Sequence, residues 1–249
     1  MRDRNELERI GAEEEKLSHA MYLRMEKALG RELLPAQALL VELRSCKTKE
    51  ELQSLIAAQR IAETALEEVL PLLKPGAVER EIAAELTYRM RIHGAEGNSF
   101  DPIVVTGAKS SMPHGVPGDE VIKSGDFVTM DFGCLKNGYC SDMTRTVAIG
   151  SATDEMRNVY YTVLEAQKAG IAVARPGVTG AEIHNAGAKV IADAGYGAYF
   201  GHGFGHGVGL SQYGAIGYAN KGGWNYQQIV SHYYSLNGSA KYKLVAPKW

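Results

Sequence analysis

The apolar and polar positions divide the chain into helical flanks around a β-rich middle. Residues 3–30 are rich in Glu, Leu, Arg and Lys at helical spacing and predict one or two helices ending near Gly30. Leu39 to Leu43 is a short apolar run that reads as a strand. Thr48 with Glu51 is a capping-box pattern opening an amphipathic helix to about Leu73, and Pro75-Gly76 breaks it. A second helix is expected from about Val78 to Ile92, stopping at Gly94. Pro102 to Thr106, Val121-Ile122 and Phe127 to Phe132 are strand-like runs separated by Gly, Pro and Asp turns. Asn137-Gly138 signals a hairpin turn, with Tyr139 to Ile149 as the returning strand. Ser151 with Asp154, and Thr179 with Glu182, predict caps of two helices running to about Ala174 and Ala194. A glycine-dense stretch, GAYFGHGFGHGVGL, follows.

Composition narrows the class. The chain has 249 residues, 45% of them apolar and 22% charged, which suits one large globular domain or one domain with fragments attached. A formal net charge of −2 implies no general attraction to nucleic acid or to anionic membrane. No stretch is long and apolar enough to span a bilayer, and the N-terminus, MRDRNELERIGAEEEKL, lacks the apolar core of a signal peptide. Three cysteines, Cys46, Cys134 and Cys140, are too few for a disulfide framework and point to a reducing, cytoplasmic setting. Cys134 and Cys140 read as free thiols, with a metal pair as the alternative. After Leu210 the composition changes: residues 211–249 contain four Lys and many Tyr, Gly and Asn but no Asp or Glu, and the last acidic residue is Asp193.

The candidate chemistry begins in the hairpin. With a two-residue turn at Asn137-Gly138, Gly133 pairs with Asp142 and Asp131 lies diagonal to it. With a loop two residues longer, Asp131 and Asp142 face each other. Either way the two carboxylates share a face, because strand side chains alternate with period two. Such a pair suits a divalent cation, and a solvated pair on an exposed face is the plainer reading. His202 and His206 lie in the glycine-dense segment, where an extended backbone puts both on one side. They read as ligands or as structural imidazoles. His114 sits in a Pro/Gly loop, SMPHGVPGD, where a histidine by itself carries little weight.

Taken together, the strings SFDPIVVTGAKSSMPHGVPGD, GDFVTMDFG, GYCSDMTRTVAIG and GHGFGHGVGL, in this order and spacing, resemble the creatinase/prolidase/aminopeptidase P metallopeptidases over roughly residues 44–210. The preceding LRSCKTKEELQ also resembles that family's start of the catalytic domain. The resemblance implies an α+β pita-bread fold, with residues 1–43 a remnant of a smaller N-terminal domain and 44–210 the catalytic domain. It implies that Asp131 binds one metal, Asp142 bridges two, and His206 ligates the second. His114 would stand beside the scissile carbonyl and His202 would help position substrate. The family's ions are usually manganese or cobalt, sometimes zinc or iron, and they activate the attacking water. The implied substrate is a peptide with proline at its second position, cleaved to release the N-terminal residue. A homo-oligomer is compatible with this reading.

The pattern departs from the family after GHGVGL. Ser211, Gln212 and Tyr213 follow, with Tyr213 where the family has its next active-site histidine. The two glutamates that complete the family's two-metal site have no counterpart beyond Asp193. The implied fold is therefore C-terminally incomplete, and the implied centre holds one metal or none. Residues from about 205 to 234 instead resemble the C-terminal segment of the stage II sporulation protein D/amidase-enhancer family, which acts on peptidoglycan. Within them, Asn225 is placed to cap a short helix from Tyr226 to Tyr234. The two likenesses overlap at GHGVGL, the pattern of a chimera with 211–249 as a tail of different origin. Three readings follow: a metal-dependent aminopeptidase, impaired by the missing glutamates; a peptide-binding module without hydrolysis; and a cell-wall protein acting through its tail.

Overall fold

The computed structural model describes residues 9–200, and their contacts divide into two units between Cys46 and Lys47. In the first unit, β1 (Gly11–Ala12) pairs in parallel with β2 (Leu34–Pro35), and the connection carries helix α1 (His19–Leu29). Ser18 caps α1 by accepting the Met21 amide, and Gly30 closes it in the left-handed region at φ 61°. The described part of the helix expected over residues 3–30 is thus confined to 19–29, because residues 11–12 are drawn into pairing with β2. The strand expected at Leu39–Leu43 is instead part of helix α2 (Gln37–Ser45). Its cap comes from far away: Glu14 Oε2 accepts the Ala36 and Gln37 amides at 3.0 and 3.1 Å. A carboxylate at a helix N-terminus is favoured by the peptide dipoles, and this one lies 22 and 23 positions earlier in the chain.

The second unit opens with helix α3 (Lys49–Val69), started by the expected Thr48/Glu51 capping box and extended by a 3₁₀ turn, Leu70–Leu72. Gly76, at φ 96°, turns the chain into α4 (Glu79–Ile92), and Gly94, at φ 95°, ends that helix. The β elements follow as β3 (Gly97–Asn98), β4 (Ile103–Thr106), β5 (Phe127–Phe132), β6 (Cys134–Lys136), β7 (Tyr139–Cys140) and β8 (Met143–Ala148). Among the described residues they form two antiparallel sheets, ordered β4-β5-β8 and β3-β6-β7. The expected Val121-Ile122 strand is reduced to a single bridge from Val121 to Val78. Helices α5 (Asp154–Val173) and α6 (Gly180–Asp193) pack on each other. Thr153, rather than Ser151, caps α5 by accepting the Met156 amide, while Thr179 and Glu182 form the expected box on α6.

Alternation along β5 decides the layering. Val128, Met130 and Phe132 are buried and join Val104 and Met143 in one core with α3 and α4. On α3 the core positions Ala58, Ala62, Ala65 and Val69 recur at helical spacing, and the small side chains allow a close approach to the sheets. The Cys134 thiol there donates to the Ala58 carbonyl at 3.2 Å. Phe127, Thr129 and Asp131 take the opposite face, where Phe127 meets Tyr160 of α5 with ring centroids 6.3 Å apart.

Candidate active site

The hairpin makes the two-residue turn. Asn137 and Gly138 both have positive φ, 51° and 77°, the geometry that matches the twist of two antiparallel strands. Lys136 pairs with Tyr139 and Leu135 with Cys140. The same register continues on the neighbouring sheet, where Phe132 pairs with Met143 and Asp131 with Thr144. Asp142, two residues before Thr144, therefore falls on the side of Asp131 and diagonal to it. The longer-loop alternative, with the two aspartates directly opposed, does not occur.

Between the sheets the strands cross closely. A methyl group on Gly133 would overlap the carbonyl oxygen of Ser141. This approach splits the single strand expected over Tyr139–Ile149 into β7 and β8. The Ser141 amide donates to the Cys134 carbonyl at 2.9 Å, and the Ser141 hydroxyl accepts the Cys134 amide at 3.0 Å. Asp142 is delivered at this crossing, where it is exposed, while Asp131 is half-buried with its Oδ1 shielded from solvent.

The same register disposes of the thiol pair. Cys140 stands opposite Leu135, so Cys134 projects to the other face. Cys134 is buried, and burial raises its thiol pKa, whereas Cys140 is exposed.

His114 approaches the Asp131 face by way of its neighbour. Val105 stands opposite Thr129 in β4, on the side of Ile103 and Asp131, and is fully buried. Gly115 rests against it: a methyl at Gly115 would lie 2.7 Å from Val105 Cγ1. His114 itself is exposed, in the turn just before. The sheet face that carries Asp131 thus also seats the His114 loop. His202, His206 and the Tyr226–Tyr234 segment lie outside the described residues.

Diagonal strand neighbours stand about 7–8 Å apart, and two unit charges at that separation repel by roughly 0.5 kcal/mol in water and roughly 2 kcal/mol at an effective dielectric of ~20. With Asp142 exposed, such a pair persists without a cation, so its geometry permits a metal but does not demand one. Among the described residues no group of three or more His, Cys, Asp and Glu is placed to hold an ion. Two carboxylates on one face are the donors on hand, and they are of the type a hard divalent ion prefers.

Comparison with known proteins decides the family. The model of metallopeptidase family M24 matches residues 53–229, more than half of the chain. The chain belongs to metallopeptidase family M24. It is 42% identical over 205 residues to the uncharacterized peptidase YqhT of Bacillus subtilis, covering 82% of this chain and 58% of that one. A solved structure of Xaa-Pro dipeptidase from Bacillus anthracis superposes with a TM-score of 0.75 and 42% identity, over 78% of this chain and 55% of that one. The X-Pro aminopeptidase of Thermotoga maritima gives a TM-score of 0.75 at 37% identity, with the same 78% and 55% coverage. The chain therefore spans little more than half the length of these relatives. The M24 match runs to residue 229, past Leu210, where the composition changes.

One contributor to the site was not legible beforehand. Glu79 is fully buried beneath the His114 loop and hydrogen-bonded to it. In the sequence it is an ordinary acidic residue at the start of a helix. Its partners lie 27 to 39 positions away, beyond any local pattern.

Proposed function

We propose that this chain is a metal-dependent peptidase that releases the N-terminal residue from peptides with proline at the second position. The observation that carries the reading is the register placing Asp142 diagonal to Asp131 on one sheet face, within an M24 chain. The names of the related Xaa-Pro dipeptidase and X-Pro aminopeptidase structures support the substrate class.

Asp131, Asp142 and His206 are the residues that would hold a divalent ion: manganese or cobalt by likeness to the family, with zinc and iron equally compatible with carboxylate and imidazole donors. A bound ion supplies an acidified water and positive charge for the scissile carbonyl. His114 donates a hydrogen bond to the oxygen where negative charge develops, or moves a proton to the departing amine. His202 orients the substrate. Residues 194–249 contain no Asp or Glu, so that segment adds no carboxylate to these donors. That same sequence feature favours a second reading, a peptide-binding module without hydrolysis.

The test is hydrolysis of an Xaa-Pro dipeptide by the full chain with added Mn²⁺, following free proline. Release that disappears in Asp142→Ala supports the enzyme. Binding of the dipeptide without release supports the module.

A further inference from the structure

Glu79 is the first residue of α4, fully buried, and its carboxylate faces three donors. Oε1 accepts the Thr106 amide at 2.7 Å. Oε2 accepts the Gly118 amide at 2.9 Å and the Lys109 ammonium at 2.7 Å. Thr106 ends β4, and Gly118 closes the return limb of the loop that follows. One carboxylate thus ties together both ends of the segment containing His114.

Other contacts make this junction the base of the loop. The Arg80 amide donates to the Gly118 carbonyl at 3.2 Å and the Glu79 amide to the Glu120 carbonyl at 3.1 Å. Lys109 also reaches Glu120 Oε2 at 3.0 Å. The hydrogen bond to Glu79 is the main cause that raises the Lys109 pKa, and the bond to Lys109 is the main cause that lowers that of Glu120. Above the base, Gly115 is seated on Val105. His114 lies between the tie at Gly118 and the tie at Lys109. A buried carboxylate without partners is costly, and here two amides, a cation and the N-terminus of α4 offset that cost.

We infer that Glu79 is a positioning residue: its carboxylate closes the base of the 107–118 loop and so fixes His114 above the Asp131 face. This rests on the proposed function only for the consequence in catalysis; the closure itself is independent of it. Glutamine is an informative replacement. It offers one acceptor oxygen to the three donors and turns an amide N–H₂ toward one side of the junction, so one end of the loop is released.

The experiment compares the full chain with Glu79→Gln, Lys109→Met, His114→Ala and the Glu79→Gln/His114→Ala pair. Two readouts are taken: amide hydrogen exchange and Xaa-Pro dipeptide turnover with Mn²⁺. Exchange across 107–118 is expected to rise by about tenfold or more in Glu79→Gln, and less in Lys109→Met, with α3 and β5 still protected. Turnover is expected to show kcat lowered by about tenfold with KM within about twofold, and no further loss when Glu79→Gln is added to His114→Ala. If the parent chain does not turn over, the functional reading fails and exchange alone decides the inference. If Glu79→Gln does not fold, Lys109→Met carries both readouts. Unchanged exchange across 107–118, or losses from Glu79→Gln and His114→Ala that multiply, would overturn the inference.

Discussion

Val105 occupies the space into which a side chain at Gly115 would project, with Cγ1 only 2.7 Å from the position of a Cβ. This contact seats the His114 turn on the face of the sheet that carries Asp131. Val105 is fully buried and has little room to yield. Gly115→Ala should therefore cost roughly 1–3 kcal/mol through overpacking. Thermal unfolding of Gly115→Ala, Val105→Ala and the pair checks this. The pair should be less destabilised than the sum of the single changes, because Val105→Ala opens the space that the new methyl needs.

Gly133 faces a harder obstacle, since the atom that a methyl would overlap is the backbone oxygen of Ser141. Neither side can turn away without disturbing the strand crossing. Gly133→Ala should lose about 3 kcal/mol or more and shift Asp142 relative to Asp131. Denaturant unfolding measures the first effect. A fall in Mn²⁺ affinity, larger than that of an equally destabilising change in the α3 core, measures the second.

The Glu51–Tyr139 contact gives a pH dependence with two limbs. Tyr139 donates to Glu51 at 2.7 Å, joining the hairpin to the first turn of α3. The Thr48 amide, and then the Tyr139 hydroxyl, hold the Glu51 carboxyl below its ordinary value of 4.5. A depressed carboxyl stabilises the fold above that value and loses the contribution as pH falls through the lower folded value. The hydrogen bond to Glu51 pushes the Tyr139 hydroxyl above its ordinary value of 10.0. A raised hydroxyl contributes fully below pH 10 and loses the contribution as pH rises through the higher folded value. Tyr139→Phe should remove the alkaline limb and weaken the acid one. Melting temperature against pH, for the parent and Tyr139→Phe, checks both signs.

Local chemistry in the sequence was a reliable guide where the partner is close by. The boxes at Thr48/Glu51 and Thr179/Glu182, and the Asn137-Gly138 turn, depend on residues one to three positions apart, and all three are present. The turn also set the register that brings Asp142 to the side of Asp131. Legibility failed where the deciding partner is distant. Leu39–Leu43 lacks a period long enough to separate strand from helix, and Glu14 supplies the cap that favours α2. The break between β7 and β8 depends on Gly133 meeting Ser141 across two sheets. The ties that Glu79 makes to Thr106 and Gly118 exist only once α4, β4 and the loop have been brought together.

The central claim is that Asp131 and Asp142, with His206, form a centre for a divalent cation. Calorimetric titration of the full chain with Mn²⁺ tests it most directly, alongside Asp142→Ala and a Ser211→Ala control. The predicted result is binding by the parent and the control that is abolished in Asp142→Ala. Unchanged affinity in Asp142→Ala would contradict the account.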